Sequence, residues 1–211
     1  MSRAVVPYRG GKKRVSKKES LSKRLSKLEA LVEPEFKLLD TYQNAAVSSS
    51  GTFVLCNGMQ RGDHSYQRDG NAIKCMSIRC RALAQLHSSA TKTVVRRIVF
   101  LNKSPQGGTP SLGGLIENST MPGWFAFKNP NCIGDIIILS DDTITLDTYE
   151  PIKYFPDYYK KLTLKTHFND NTDTGTITDI LEGAVYVLYV SSEATNTPDI
   201  DGMHRLRFLD G

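Results

Sequence analysis

Acid is nearly missing from one end of this 211-residue chain. The first 29 residues hold ten Lys/Arg and only two carboxylates, Glu19 and Glu29. That segment carries about +8, whereas the whole chain is +5, so the remainder sums to about −3. Other absences narrow the function classes. No run of about 20 apolar residues occurs, which argues against a helical membrane span. The opening MSRAVVPYRGGKKRVSKK has no apolar stretch behind its basic residues and does not read as a secretory signal. Cys56, Cys75, Cys80 and Cys132 form no C-x2-C pair and lack a secretory context, so free, mostly buried thiols are expected. There is no H-E-x-x-H, no G-x-S-x-G and no Walker loop, and Gly107-Gly108 lacks the following Gly-Lys-Ser/Thr of a phosphate cradle. His64, His87, His167 and His204 are scattered, and with Cys75 and Cys80 they do not match zinc-finger spacing. No catalytic constellation and no resident metal or cofactor is expected.

What is present begins with the basic arm. Arg3, Arg9, Lys12, Lys13 and Arg14 fall in a segment rich in Gly and basic residues that should be disordered alone. Lys17, Lys18, Lys23, Arg24 and Lys27 follow on one face of a predicted helix over residues 16–32. Leu21, Leu25 and Leu28 form the opposite stripe, Ser16 and Glu19 have capping-box spacing, and Pro34 ends the pattern. A helix this short is marginal alone. It gains stability by pairing its leucines with a neighbouring copy, or by placing its charges on phosphate. A membrane-surface helix shares the signature, but this stripe is thin and has no Trp or Phe. Ten cations so grouped neutralise phosphate without reading sequence. The clusters Lys12-Lys13-Arg14 and Lys17-Lys18 also permit nuclear localisation.

Beyond Pro34 the texture changes, so residues 1–33 are an arm and 34–211 a separate body. Strand-like runs appear at 36–47, 51–56, 72–86, 91–102, 135–140, 143–149, 160–168, 182–192 and 203–210, broken by Gly, Asn, Asp and Pro clusters. Alternation is clean where Leu162 and Leu164 oppose Lys161 and Lys165, and where Leu206 and Phe208 oppose Arg205 and Arg207. PSLGGLIEN (110–118) reads as a short helical turn or a loop. The pattern predicts an all-β fold of two packed antiparallel sheets. The segment 104–134 is long and carries Trp124, Phe125 and Phe127, either as a subunit interface or as a satellite core.

QRGDHSYQRDGNAIKCMSIRCRA (60–82) together with VRRIVFLNKSPQGGTPSLGGLI (95–116) resembles the small single-jelly-roll coat proteins of satellite tobacco necrosis virus and its relatives. Capsid proteins of several small circular single-stranded DNA viruses belong to the same class. The resemblance rests on the arm, the basic helix, the strand order and the length, and it covers most of the chain. It implies an eight-stranded antiparallel jelly-roll sandwich that self-assembles, in about 60 copies, into an icosahedral virion shell around viral genomic nucleic acid. It also implies that Lys17, Lys18, Lys23, Arg24 and Lys27 point inward near a threefold axis. Sixty arms would bring about 480 positive charges, sufficient in order of magnitude for about one kilobase of genome. Assembly would take place in the host nucleus or cytoplasm. Some members bind intersubunit calcium through carboxylates. Counterparts here are Glu33 or Glu35, Asp210, Asp141-Asp142 and the 169–173 segment, and none has EF-hand spacing.

Two strand pairs bear on the genome directly. Arg79 and Arg81 share a strand face and would extend the arm's field if they point to the shell interior; otherwise they pair with carboxylates. Arg96-Arg97 pose the same choice. Tyr154, Phe155, Tyr158 and Tyr159 could stack bases or pack within the body. Arg61-Gly62-Asp63 spells an integrin tripeptide that three residues match by chance often. The competing reading is a nonstructural single-stranded nucleic-acid-binding β-domain, which requires an exposed basic and aromatic groove on the body.

Overall fold

The computed structural model describes residues 36–117, 121–132 and 134–210. The arm, its predicted helix, Glu33 and Glu35 lie outside the described residues. The same holds for the side chain of Cys132.

Ten strands and little else make up the body. They are β1 (Phe36–Ala46), β2 (Thr52–Leu55), β3 (Ala72–Gln85), β4 (Lys92–Asn102), β5 (Ile136–Asp147), β6 (Ile152–Tyr154), β7 (Tyr158–Phe168), β8 (Ile180–Glu182), β9 (Ala184–Ser191) and β10 (Asp199–Asp210). Sheet 1 has the order β1-β10-β3-β7-β8, with β6 also paired to β3. Sheet 2 has the order β2-β9-β4-β5. Every pairing between these strands is antiparallel. Setting aside the three-residue strands β6 and β8, the chain threads eight strands through two four-stranded sheets, with first beside last in one and second beside next-to-last in the other. That is the jelly roll, two nested Greek keys.

The side-chain period explains the packing. On β10, Ile200, His204, Leu206 and Phe208 turn into the sandwich, while Met203, Arg205 and Arg207 stay exposed. On β3, Ile73, Cys75, Ile78 and Cys80 turn inward and Lys74, Arg79 and Arg81 outward. Sheet 2 differs. Each residue of β9 is buried, and most of β4 is too. A continuous apolar run of this kind requires cover on both faces. The second cover is the segment between β4 and β5, which lies on the outer face of sheet 2. It carries a one-turn helix, α1 (Leu112–Leu115), capped by the Ser111 hydroxyl accepting from Gly114 N–H at 3.0 Å. Leu115, Ile116 and Ala126 of this segment are buried in the core.

Four boundaries depart from the sequence reading. The runs at 135–140 and 143–149 are one strand, β5. Asp141-Asp142 resembles a turn, but Arg96 and Arg97 on the adjacent β4 neutralise both carboxylates, so the ladder continues. The run at 182–192 breaks at Gly183, whose φ of +76° a side chain rarely adopts. A Cβ there would sit 2.2 Å from the Lys165 carbonyl oxygen. The last strand starts at Asp199, because Asp201-Gly202 is held on both sides by β1 and β3. The strand Ile152–Tyr154, between Pro151 and Pro156, left no alternating pattern to detect.

Candidate nucleic-acid interface and assembly surface

Among the described residues nothing covers the outer face of sheet 1, and that face is basic. Arg205 on β10 lies opposite Arg79 on β3, and Met203 opposite Arg81. Asp157, on the connection between β6 and β7, clamps both β3 arginines. Arg79 donates to it from Nε at 3.2 Å and Nη2 at 2.6 Å, and Arg81 from Nε at 3.1 Å. The Arg79 hydrogen bond is the largest cause that brings the Asp157 carboxyl down to about 2, with Arg81 adding to it. Asp40 on β1 takes two bonds from Arg205, at 2.7 and 2.6 Å. These pairs hold three guanidiniums in fixed orientation without consuming all their donors. Arg81 commits only Nε.

Four more cations on this face have no carboxylate partner among the described residues. Lys74 and Lys165 lie directly opposite each other on β3 and β7, Lys161 follows on β7, and Arg207 sits on β10 with its guanidinium 3.5 Å from the centroid of the Phe36 ring. Against these seven stand Asp40, Asp157, Asp199, Asp201 and Glu182. The body is net acidic, yet this one face is net basic. Alternation in the sequence already marked Arg205, Arg207, Lys161 and Lys165 as one-sided. What it did not reveal was that β10, β3 and β7 are neighbours.

The other arginine pair has the opposite fate. Arg96 points away from sheet 1 into the cover over sheet 2. It grips Asp141 at 2.7 and 2.6 Å and donates to the carbonyls of Gly123 and Ala126 at 3.1 and 2.6 Å. It therefore fastens the β4–β5 segment to the sheet. Arg97 points between the sheets, fully buried, with Nη2 bonded to Asp142 and to the Pro156 carbonyl, both at 2.8 Å. Its guanidinium is 5.0 Å from the Phe155 ring centroid. Neither Arg96 nor Arg97 is free for phosphate.

Arg96 also places the aromatics. With Ala126 turned in, Phe125 and Phe127 turn out and stay 60% and 73% exposed, and Trp124 is half-buried. Trp124 and Phe125 lie 5.7 Å apart, centroid to centroid. Two large exposed rings on a pinned segment form an apolar patch on the surface. The Tyr154 group splits: Phe155 packs on Tyr189, Tyr158 donates to the Leu139 carbonyl, and Tyr154 and Tyr159 remain exposed.

Among the described residues, the carboxylates named for calcium pair with cations of the chain. Asp210 pairs with Lys37, Asp170 with Arg61, Asp173 with Arg68, and Asp141 and Asp142 with Arg96 and Arg97. Among the described residues no cluster of three His, Cys, Asp or Glu could hold a metal ion. Burial pushes the Cys75 and Cys80 thiols up to about 11 and about 12, which keeps both protonated. Among the described residues no helix is long and apolar enough to cross a membrane.

No family model matches the sequence, and no curated protein matches it significantly. Three solved structures that align with the chain carry the names of viruses. The structure titled Desmodium yellow mottle tymovirus aligns over 99% of this chain and 95% of its own, with 8% identity and a TM-score of 0.36. The infectious bursal disease virus Gx strain structure aligns over 85% of this chain and 33% of its own, with 9% identity and a TM-score of 0.28. Cucumber Leaf Spot Virus aligns over 82% and 56%, with 15% identity and a TM-score of 0.24.

Proposed function

We propose that this chain is a viral capsid protein that assembles into a small closed shell of about 60 copies and packages a genome on its basic N-terminal arm. One observation carries the reading: charge is segregated. The +8 segment joins a jelly-roll body that carries seven of its 17 Lys/Arg on the outer face of sheet 1, and the arm is continuous in sequence with β1, an edge strand of that sheet. The cover over sheet 2 presents Phe125 and Phe127 instead. A basic side for polyanion and an apolar side for protein is the division a shell subunit needs. Arm residues Arg3, Arg9, Lys12, Lys13, Arg14, Lys17, Lys18, Lys23, Arg24 and Lys27 neutralise phosphate, Arg79 and Arg81 extend that field, and Leu21, Leu25 and Leu28 join arms of neighbouring copies.

The nonstructural reading, a single-stranded nucleic-acid-binding β-domain, is favoured by the same basic face with its exposed tyrosines. Electron microscopy separates the two. Purified full-length protein should form closed particles of uniform size containing nucleic acid. Deleting residues 1–29 should strip nucleic acid from the particles. A protein that binds nucleic acid yet stays small under every assembly condition would overturn the capsid reading in favour of the second.

A further inference from the structure

The basic face of sheet 1 contains a trench that the arm's chemistry does not require. Its volume is about 520 Å³, within the range of small-ligand sites. Tyr42 on β1 and Tyr154 on β6 form its two walls, and Met203 and Leu83 its floor. Strands β10 and β3 lie between the walls, so the wall backbones stand roughly 14 Å apart at about 4.8 Å per strand. Both rings are bare, 62% exposed for Tyr42 and 75% for Tyr154.

Both walls are also fixed. The Tyr42 hydroxyl donates to Asp201 at 3.0 Å, and Asn44 donates to the same carboxylate oxygen at 2.5 Å. Tyr154 pairs with Leu83 in the ladder, and the next residue, Phe155, is anchored against Tyr189 in the core. Arg81 lies at the edge of the trench. It also lines an adjoining hollow of about 260 Å³, shared with Arg79, Met203 and Arg205. An apolar slot walled by two rings therefore opens directly onto three guanidiniums. Ring walls with an apolar floor select a flat π system, and the guanidiniums one step away select an anion attached to it.

We propose that this trench takes one unpaired base of a single-stranded nucleic acid, laid face-down on Met203 and Leu83 between the rings of Tyr42 and Tyr154, with the adjacent phosphates on Arg81, Arg79 and Arg205. This rests on the nucleic-acid partner of the proposed function and adds a strand type and a site on the body. A duplex presents only base edges in its grooves, whereas this floor fits a base face. Asp157 and Asp40 keep the guanidiniums aimed, and the uncommitted Nη groups of Arg81 meet phosphate first.

The test uses the full-length chain, a fluorescent single-stranded oligothymidylate and an abasic strand of equal length and charge. Anisotropy is read in about 0.4 M salt, where phosphate contacts of the arm weaken and stacking persists. Wild type should prefer the thymidine strand by about tenfold. Tyr42→Ala and Tyr154→Ala should each abolish the preference while leaving abasic affinity in place. An iodouracil strand should photocrosslink to the peptide holding Tyr42 or Tyr154. Equal wild-type affinity for the two strands, or a preference that survives both variants, would overturn the trench and leave the arm's binding standing. Failure to bind either strand even at low salt would overturn the nucleic-acid partner itself and the trench with it.

Discussion

The two outer faces of this sandwich are built from similar strands and end up with opposite surfaces. Sheet 1 is left bare, and its outward positions carry Lys74, Arg79, Arg81, Arg205 and Arg207. Sheet 2 is covered by the β4–β5 segment, and the outward positions of β9 and most of β4 are buried beneath it. The contrast is sharpest between two arginine pairs. Arg79 and Arg81 lie on one face of β3, share Asp157 and stay half-exposed or more. Arg96 and Arg97 are consecutive, point to opposite faces of β4, and are both buried, each paired with its own, more exposed aspartate. Identical side chains become an exposed basic surface in one place and internal fasteners in the other. What decides is the neighbouring strand and what lies on top of it.

The comparison breaks most completely at the aromatic segment. Replacing both Phe125 and Phe127 by Ser should eliminate closed particles in electron microscopy while the thermal midpoint stays within a few degrees, since both rings are exposed in the isolated body. Next in size is the arginine contrast. Arg97→Met should cost about 3–5 kcal/mol in urea unfolding, because it leaves Asp142 without its buried partner. Arg79→Met should leave the unfolding midpoint unchanged, as expected for a solvated pair. Equal losses for the two variants would dissolve the distinction.

A smaller effect comes from His204, buried in the core beside Tyr189. Burial first, then the nearby Arg97 charge, lowers its imidazole from the usual 6.5 to about 4. The unfolded chain therefore binds a proton in that window that the folded chain refuses. The stability this residue contributes is complete above pH 6.5 and is lost as pH falls toward 4, a change on the order of 3 kcal/mol. Urea titrations of wild type and His204→Gln at pH 7.5, 5.5 and 4 should converge as pH falls. Parallel curves would remove His204 from the account. The smallest expected effect is on salt dependence. Arg79→Ala and Arg81→Ala should each reduce the slope of log affinity against log salt for nucleic acid by about one, at unchanged midpoint.

Much of this molecule was legible from the chain. Strand-like composition located β1, β3, β4, β7 and β10 to within a few residues, and period-two alternation placed Arg205 and Arg207 opposite Leu206 and Phe208. Local reading failed where a distant residue overrode it. Asp141-Asp142 looked like a turn until Arg96 and Arg97 were found beside it. Asp201-Gly202 looked like a break until β1 and β3 flanked it. Phe155 and Tyr154 looked alike, and the core accepted only one.

The sequence by itself determined the β character of the body, the side of each strand that would be apolar, and the concentration of +8 in the first 29 residues. These follow from composition and from the alternation of side chains along an extended backbone. Only the tertiary structure decided that β10 lies between β1 and β3, bringing residues more than 100 positions apart onto one basic face with a tyrosine-walled trench. The reason is physical. Alternation assigns a residue to a face, but which strands share that face depends on ladder bonds and core packing that pair segments distant in the chain, and no local pattern encodes the partner.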